Sequence, residues 1–409
     1  MKRVALIGPL FESNLGDPLL FDCTEYICKL IENETNEYIK LDILARDKIQ
    51  GHAPNIKKYK KFPLSYWVWN RIYSRYEKFF SPSKVQEFRN KQKKWQFDYS
   101  DFKTKLVDYF DKNFQNVDLV LFVGAGTIKW HVRLDFGPIF GVILECAKRR
   151  NIPCAISGAG IESEYSDVDS RSLYFSNVLS DSIWKIITTR DDIESLRKYV
   201  KSPNIKISKI SDLGVWSAET YGVRADEYST IVGIGIICPN RFVQYSSGIT
   251  EEEYEKTIIK IIEYFEKKRI AWNLFTNGDV DDVKYLKILS EKLSLDNNKV
   301  CHVPQTPKEL VQLISQFKGV IVSRMHASII AYSLNIPFVS IAWNRKLMAF
   351  NQNIGCPERV FDKSNLDYKN IVNAFECALK EGYDQSRRRV FRESSFFLFE
   401  RLLNDIEQG

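Results

Sequence analysis

Short apolar runs that end on glycine or a polar residue, each followed by a helical stretch, recur along this chain in two series. In the first series Val4–Ile7, Ile39–Leu44, Asp118–Val123, Pro153–Ser157 and Trp184–Thr188 read as strands. Asp17–Ile31, Phe102–Phe114 and Gly137–Arg149 read as helices between them. Near-continuous apolar strands belong to sheets covered on both faces. Alternation with helices selects a parallel sheet, because parallel neighbours need a long crossover. The pattern restarts near residue 228. Thr230–Ile237, Ala271–Phe275, Lys299–Val303, Gly319–Val322 and Phe338–Ile341 read as strands. Glu251–Lys268 reads as an amphipathic helix with Ile258, Ile261, Ile262 and Phe265 on one face.

Two series imply two α/β domains, and a chain of 409 residues is too long for one ordinary core. The expected division is 1–225, 226–385 and a closing helix in 386–409 that can return to the first domain, with the hinge near Tyr221–Tyr228. No apolar stretch reaches spanning length. The longest, Ala327 to Trp343, is broken by Ser333, Asn335 and Pro337. The eight cysteines form no Cys-x-x-Cys pair, and with four scattered histidines there is no zinc-ligand spacing, so no metal is expected. Free thiols fit a reducing compartment, and Cys154 and Cys238 fall in strand-like runs as small buried groups. These features together predict a cytoplasmic protein.

One segment, about 53–101, interrupts the first series. It runs through Lys57-Lys58-Tyr59-Lys60-Lys61, Tyr66-Trp67-Val68-Trp69-Asn70-Arg71, Phe79-Phe80 and Lys91–Trp95, with few acids. Interleaved basic and aromatic residues suit a membrane interface over anionic lipid. They also suit a nucleic-acid surface. An amphipathic subdomain with solvated lysines is the plain alternative. The net charge of +7 permits an anionic partner without choosing one. Peripheral membrane contact through residues 57–95 stays open beside the plain subdomain, and nucleic acid is not expected.

The candidate chemistry lies where strands meet helices, since open α/β sheets bind ligands outside the carboxyl ends of their strands. Gly8–Asp17 joins the first strand to the first helix, and Asn14, Gly16 and Asp17 sit where free N–H groups meet an anion. Asn14 or Asp17 can equally cap that helix. Gly-x-Gly-x-x-Gly is absent, which argues against a dinucleotide fingerprint. Gly124-Ala125-Gly126-Thr127 and Gly158-Ala159-Gly160 follow successive buried strands and suggest a glycine-lined cleft. Arg190, in Thr189-Arg190-Asp191, points into the same crevice or pairs with Asp191 or Asp192. Asp212-Leu213-Gly214 follows the next strand. In the second series Ser323-Arg324-Met325-His326-Ala327 places an arginine fork and an imidazole at a strand end. Lys346, in Trp343-Asn344-Arg345-Lys346, can reach a ligand there or stand in solvent. Pro304–Leu310 reads as a helix cap.

Taken in order and spacing, these motifs resemble the polysaccharide pyruvyl transferase family over roughly residues 1–30 and 117–355. The resemblance rests on Asn14-x-Gly16-Asp17, Gly124-Ala125-Gly126, Gly158-Ala159-Gly160, Thr189-Arg190-Asp191 and Asp212-Leu213. Its strongest part runs from Glu309-Leu310 through Arg324-Met325-His326-Ala327 and Asn335-Ile336-Pro337 to Lys346. The family usually carries Gly-Gly-Gly where this chain has Gly124-Ala125-Gly126.

The resemblance implies two Rossmann-like domains facing a central cleft, GT-B-like. It also implies transfer of the pyruvyl unit of phosphoenolpyruvate to sugar hydroxyls of a surface polysaccharide or its lipid-linked precursor. Phosphoenolpyruvate is then a donor substrate and no cofactor is required. Under this reading Arg324 and Arg190 clamp the donor's anionic groups, and Asn14, Gly16, Gly124, Gly126 and Lys346 contribute binding. His326 is the acid or base, with Asp17 as a second, and the enzyme works at the inner face of the plasma membrane. A nucleotide-sugar-dependent glycosyltransferase of the same architecture is the alternative, and a non-catalytic assembly scaffold is a third.

Overall fold

The computed structural model describes residues 2–8, 15–35, 39–43, 99–130 and 137–405. Asn14 and the basic-aromatic segment through residue 98 lie outside the described residues.

Two parallel sheets organise the chain. The first contains β1 (Lys2–Ile7), β2 (Ile39–Ile43), β3 (Leu119–Val123), β4 (Cys154–Ala159), β5 (Trp184–Thr189) and β6 (Lys206–Lys209), in the order β2-β1-β3-β4-β5-β6. The second contains β7 (Val232–Gly235), β8 (Trp272–Phe275), β9 (Gly319–Val322), β10 (Phe338–Ile341) and β11 (Val360–Phe361), in the order β11-β10-β9-β7-β8. Read from its second strand, the second sheet repeats the strand order of the first. Each sheet therefore reverses its winding beside its own first strand, between β1 and β3 and between β7 and β9. That reversal opens a crevice at the carboxyl ends of the strands.

The central strands are buried on both faces, and the two-residue side-chain period divides them cleanly. Val4 and Leu6 of β1, with Leu119, Leu121 and Val123 of β3, face one core, while Ala5, Ile7, Val120 and Phe122 face the other with Phe140, Phe175 and Trp184. The first of these cores does not stop at the domain boundary. It continues through Leu19, Leu213 and Ile329 to Ile234 and Val320 of the second sheet. Helix Met325–Ser333 makes this junction. Its residues from Ala327 to Ser333 are all buried, the pattern of a helix surrounded by protein. It packs on the turn Leu213–Trp216, where a Cβ added to Gly214 would stand 2.9 Å from Ile329 Cγ2. The Ala218 N–H donates to Ser333 Oγ at 2.9 Å across the same contact.

Some expectations need correction. Lys299–Val303 is not a strand. It holds a short 3-10 turn at Asn297–Lys299 and a single bridge from Val300 to Leu274, and Pro304 ends any further pairing. Cys238 lies past the end of β7 and is half-buried, whereas Cys154 is buried within β4. The first helix starts at Gly16, so Asp17 falls inside its first turn and does not form its cap. There a carboxylate meets the positive end of the helix dipole. The capping turn before Pro307 is seen as expected: Thr306 accepts from the Glu309 N–H, and the Gln305 N–H donates to Glu309 Oε2. The helix Gln385–Asp405 touches both domains. Trp216 Nε1 donates to Ser395 Oγ at 2.9 Å, and Arg388 Nη2 donates to the Ser333 carbonyl at 2.6 Å. Among the described residues no helix is long and apolar enough to cross a membrane.

Candidate active site

The two sets of strand ends face each other. From the first sheet come Gly8, Gly16 and Asp17 after β1, Gly124–Lys129 after β3, Gly160 and Glu162 after β4, Arg190 after β5 and Asp212 after β6. From the second come Tyr245 beyond β7, Asp279 and Asp282 after β8, Arg324 and His326 after β9 and Lys346 after β10.

Arg324 is positioned by its neighbours on both sides. Its backbone is extended, and its carbonyl accepts from the Ala327 and Ser328 N–H groups as the helix begins. Ser323 before it is fully buried. Its carbonyl accepts from Trp343 Nε1 at 2.7 Å, and its hydroxyl meets Tyr254 Oη at 3.1 Å. The guanidinium then lies against Asp282, with Nε donating to Oδ2 at 2.6 Å and Nη2 to Oδ1 at 2.8 Å. Asp279 adds a longer contact at 3.4 Å. Asp282 is wholly buried and also accepts from the Cys238 N–H at 2.8 Å. This fork-to-fork pair fixes the plane of the arginine. It leaves Nη1 outside the pair.

Arg190 is buried too, and its ion pair is with Asp212 and not with Asp191 or Asp192. Asp191 accepts from the Ile161 N–H at 2.7 Å, and Asp192 caps the next helix. Burial disfavours the Arg190 charge, but Asp212 and Asp191 more than restore it and hold its pKa above the ordinary value. The guanidinium lies under the glycine turn: a Cβ added to Gly160 would stand 3.1 Å from Nη2. Its Nε has no hydrogen-bond partner among the described residues.

His326 reaches across to the first domain. A Cβ at Gly16 would overlap its imidazole, so the glycine is what lets the ring approach the helix start. Its Nε2 is buried and has no partner among the described residues. Burial pushes the imidazole down to about 4, Asp212 pulls the other way, and Arg190, Lys346 and Arg324 push it further down. His326 is thus neutral at neutral pH.

Lys346 binds Glu162 Oε1 of the first domain at 2.6 Å, while Lys129 binds Oε2 at 2.7 Å. Burial alone would raise the Glu162 carboxyl, but Lys346 and Lys129 outweigh it and hold it at about 2. The Glu162 carboxylate lies over Gly126, where any side chain would displace it. The loop below is tight. The Gly124 N–H donates to the Ser157 carbonyl at 2.8 Å and the Gly160 N–H to the Ala125 carbonyl at 2.7 Å. Ala125 itself has φ of 63°, a left-handed conformation that costs a residue with a Cβ. That is the position where the motif pattern places glycine.

Residues 14–345 match the polysaccharide pyruvyl transferase family. The chain belongs to that family. As a member of the polysaccharide pyruvyl transferases it is assigned to the modification of polysaccharides by group transfer. No curated protein sequence matches it. Among solved structures it is similar to a UDP-GlcNAc 2-epimerase from Methanocaldococcus jannaschii, with a TM-score of 0.59, 13% identity and 100% of both chains covered. It is also similar to MnaA from S. aureus in a structure with UDP, with a TM-score of 0.52, 10% identity and 100% and 96% of the two chains covered. A third is the UDP-GlcNAc 2-epimerase from Neisseria meningitidis bound to UDP-GlcNAc, with a TM-score of 0.51, 12% identity and 99% and 100% covered. These likenesses establish the GT-B-like arrangement of two α/β domains.

The expected residues Gly16, Asp17, Gly124, Gly126, Arg190, Arg324, His326 and Lys346 all lie at strand ends of this pyruvyl transferase fold. Sequence reasoning missed the partners that organise them: Asp282, Lys129, Glu162 and Tyr245, and the role of Asp212. Asp212 stood in a noted motif, and Lys129 and Glu162 each follow a glycine turn closely. Asp282 gave no signal, since it sits inside the helix Val280–Lys292 among other acids.

Proposed function

We propose that this protein transfers the pyruvyl unit of phosphoenolpyruvate to two hydroxyls of a sugar in a polysaccharide or its lipid-linked precursor. The reading rests on family membership and on one observation: the buried Nε2 of neutral His326, which has no partner among the described residues, on a ring set against Gly16 of the first domain and within the field of Arg190 and Arg324. Phosphoenolpyruvate carries a carboxylate and a phosphate, and both arginines stand at these strand ends, each paired with an aspartate. The free edge of Arg324 is suited to one anionic group of the donor.

The chemistry balances as follows. A proton adds to the methylene carbon, making C2 electrophilic. One sugar hydroxyl forms a C–O bond to C2 and loses its proton. The C2–O bond to phosphorus then breaks, and phosphate departs carrying a proton. The second hydroxyl closes the ketal and loses its proton. Neutral His326 serves as the base for an attacking hydroxyl, and Asp17 at the helix start is the second acid/base group. Arg324 and Arg190 offset charge on the departing phosphate.

An acceptor on a lipid carrier would place the enzyme at a membrane surface, and residues 57–95 carry the basic and aromatic side chains for that contact. The structures with UDP and UDP-GlcNAc favour a second reading, a nucleotide-sugar-dependent transferase. Incubation with acceptor decides between them. Phosphate released from phosphoenolpyruvate supports the first, whereas nucleoside diphosphate released from a nucleotide sugar, with no use of phosphoenolpyruvate, replaces it with the second.

A further inference from the structure

We infer that the loop after Gly126, Lys129 and Lys346 form an anion seat, held in this state by the protein's own Glu162 carboxylate, which a substrate phosphate or carboxylate displaces. The inference rests on the donor class proposed above and adds residues and a ligand exchange to it.

The charges in the cleft point to this place. Arg190 is paired with Asp212, and Arg324 with Asp282 and Asp279, so neither brings surplus positive charge. The lysine pair is different, because two ammonium groups share one carboxylate. Glu162 spans them as a bound anion would, one oxygen to each domain, at 2.6 and 2.7 Å. Its side chain, and those of both lysines, keep between 14% and 16% of their exposure, so the seat is open to exchange.

Geometry under the carboxylate agrees. It occupies the space over Gly126 that a Cβ would fill, directly above the strand-end turn where backbone can approach an anion. The hydroxyl of Thr127, the next residue in the loop, is buried and has no partner among the described residues. A tetrahedral phosphate offers more acceptor oxygens than the glutamate and can use that hydroxyl as well. Since Lys346 belongs to the second domain and Lys129 to the first, the seat exists only when the domains meet.

Two substitutions move binding in opposite directions. Titration calorimetry of the full chain with inorganic phosphate, and separately with pyruvate, reads the seat. Glu162→Gln removes the competing charge and should tighten anion binding about three- to ten-fold, a gain that misfolding cannot produce. Lys129→Met should weaken it about ten-fold or more, since a charge-assisted contact is lost. A response to phosphate assigns the phosphoryl end of the donor to the seat, and a response to pyruvate assigns the carboxylate end. Unchanged or weaker binding in Glu162→Gln, unchanged binding in Lys129→Met, or no binding of either anion would overturn the inference. Turnover of phosphoenolpyruvate is measured apart. Absence of turnover with these opposite shifts intact removes the proposed reaction and leaves the seat.

Discussion

Replacing Gly16 by alanine separates catalysis from folding at a single methyl group. The added carbon would lie at least 1 Å inside the 3.0 Å limit of real Cβ contacts, against the ring of His326. The imidazole must turn away or the helix start must move. Helix propensity favours alanine over glycine by up to about 1 kcal/mol, which offsets part of an overpacking cost of roughly 1–3 kcal/mol. The fold should therefore survive. Displacing a reacting group by about 1 Å costs on the order of a hundredfold in rate. Loss of the imidazole itself, in His326→Ala, should cost roughly a hundredfold to ten-thousandfold. The assay is phosphate release from phosphoenolpyruvate with acceptor, alongside thermal unfolding, for both single variants and the double variant. If Gly16 acts by giving space to His326, the double variant is no slower than His326→Ala alone, because the ring that the methyl meets is gone. Wild-type turnover in Gly16→Ala refutes the argument. Losses that multiply in the double variant refute it too, and would assign Gly16 a separate contact with substrate.

Four further outcomes are expected. Asp282→Ala removes both short bonds to Arg324 and leaves a mostly buried cation with only the longer Asp279 contact, so denaturant unfolding should show a loss of up to about 3–5 kcal/mol; a loss under about 1 kcal/mol would mean Asp282 does not hold the arginine. Ala125→Gly should leave stability within about 1 kcal/mol of the wild type, since relief of left-handed φ offsets the entropy of glycine and the loss of a buried methyl, and a loss above about 2 kcal/mol would contradict it. The histidine predicts a pH dependence. With its folded pKa at about 4, below the unfolded value near 6.5, the unfolded chain binds more protons between those limits. The stability tied to neutral His326 is therefore complete above about 6.5 and falls as pH drops toward 4, and kcat/KM should keep its base down through 6; an acid limb centred at 6.5 would count against it. Anionic vesicles should sediment the protein at low salt, and recruitment that survives charge reversal at Lys57, Lys58, Lys60 and Lys61 would exclude the electrostatic contact.

The parts of the fold that were legible are those whose burial leaves few choices. Strands such as Leu119–Val123 are apolar at every position because both faces are covered, so they announce themselves. Lys206–Lys209, an edge strand with exposed lysines at its ends, is legible only as the strand before Asp212, and Val360–Phe361, two residues long, carries no burial pattern of its own. Lys299–Val303 showed the reverse error, since an apolar run beside a proline found one bridge and no ladder. The site followed the same logic. Glycines and basic residues at strand ends were readable because topology fixes where strand ends go. Their counter-ions were not, since Arg324 and Asp282 are 42 positions apart, Arg190 and Asp212 22, and Lys346 and Glu162 184. The first two pairings depend on how strand ends within one sheet come together and the third on how the domains dock, and local pattern holds no record of either.

The repeated strand order explains why the chemistry is divided as it is. Each sheet offers one crevice beside its first strand, and the two crevices meet. The first sheet brings turns in which backbone lies close to backbone: the Gly160 N–H bonds to the Ala125 carbonyl, and Gly16 admits a ring from the other domain. The second sheet brings Arg324, His326 and Lys346, from positions braced by buried Ser323, Trp343 and Asp282, and the first adds Lys129, Glu162 and Arg190 from beside its turns. A cation entering so dry a place must be paired, since an unpaired charge there costs several kcal/mol, and each arginine accordingly meets an aspartate. Pairing fixes where the donors point before any ligand arrives. In the exchange inferred above a substrate anion replaces an internal carboxylate, and Glu162, one of the bridges between the domains, is placed to yield.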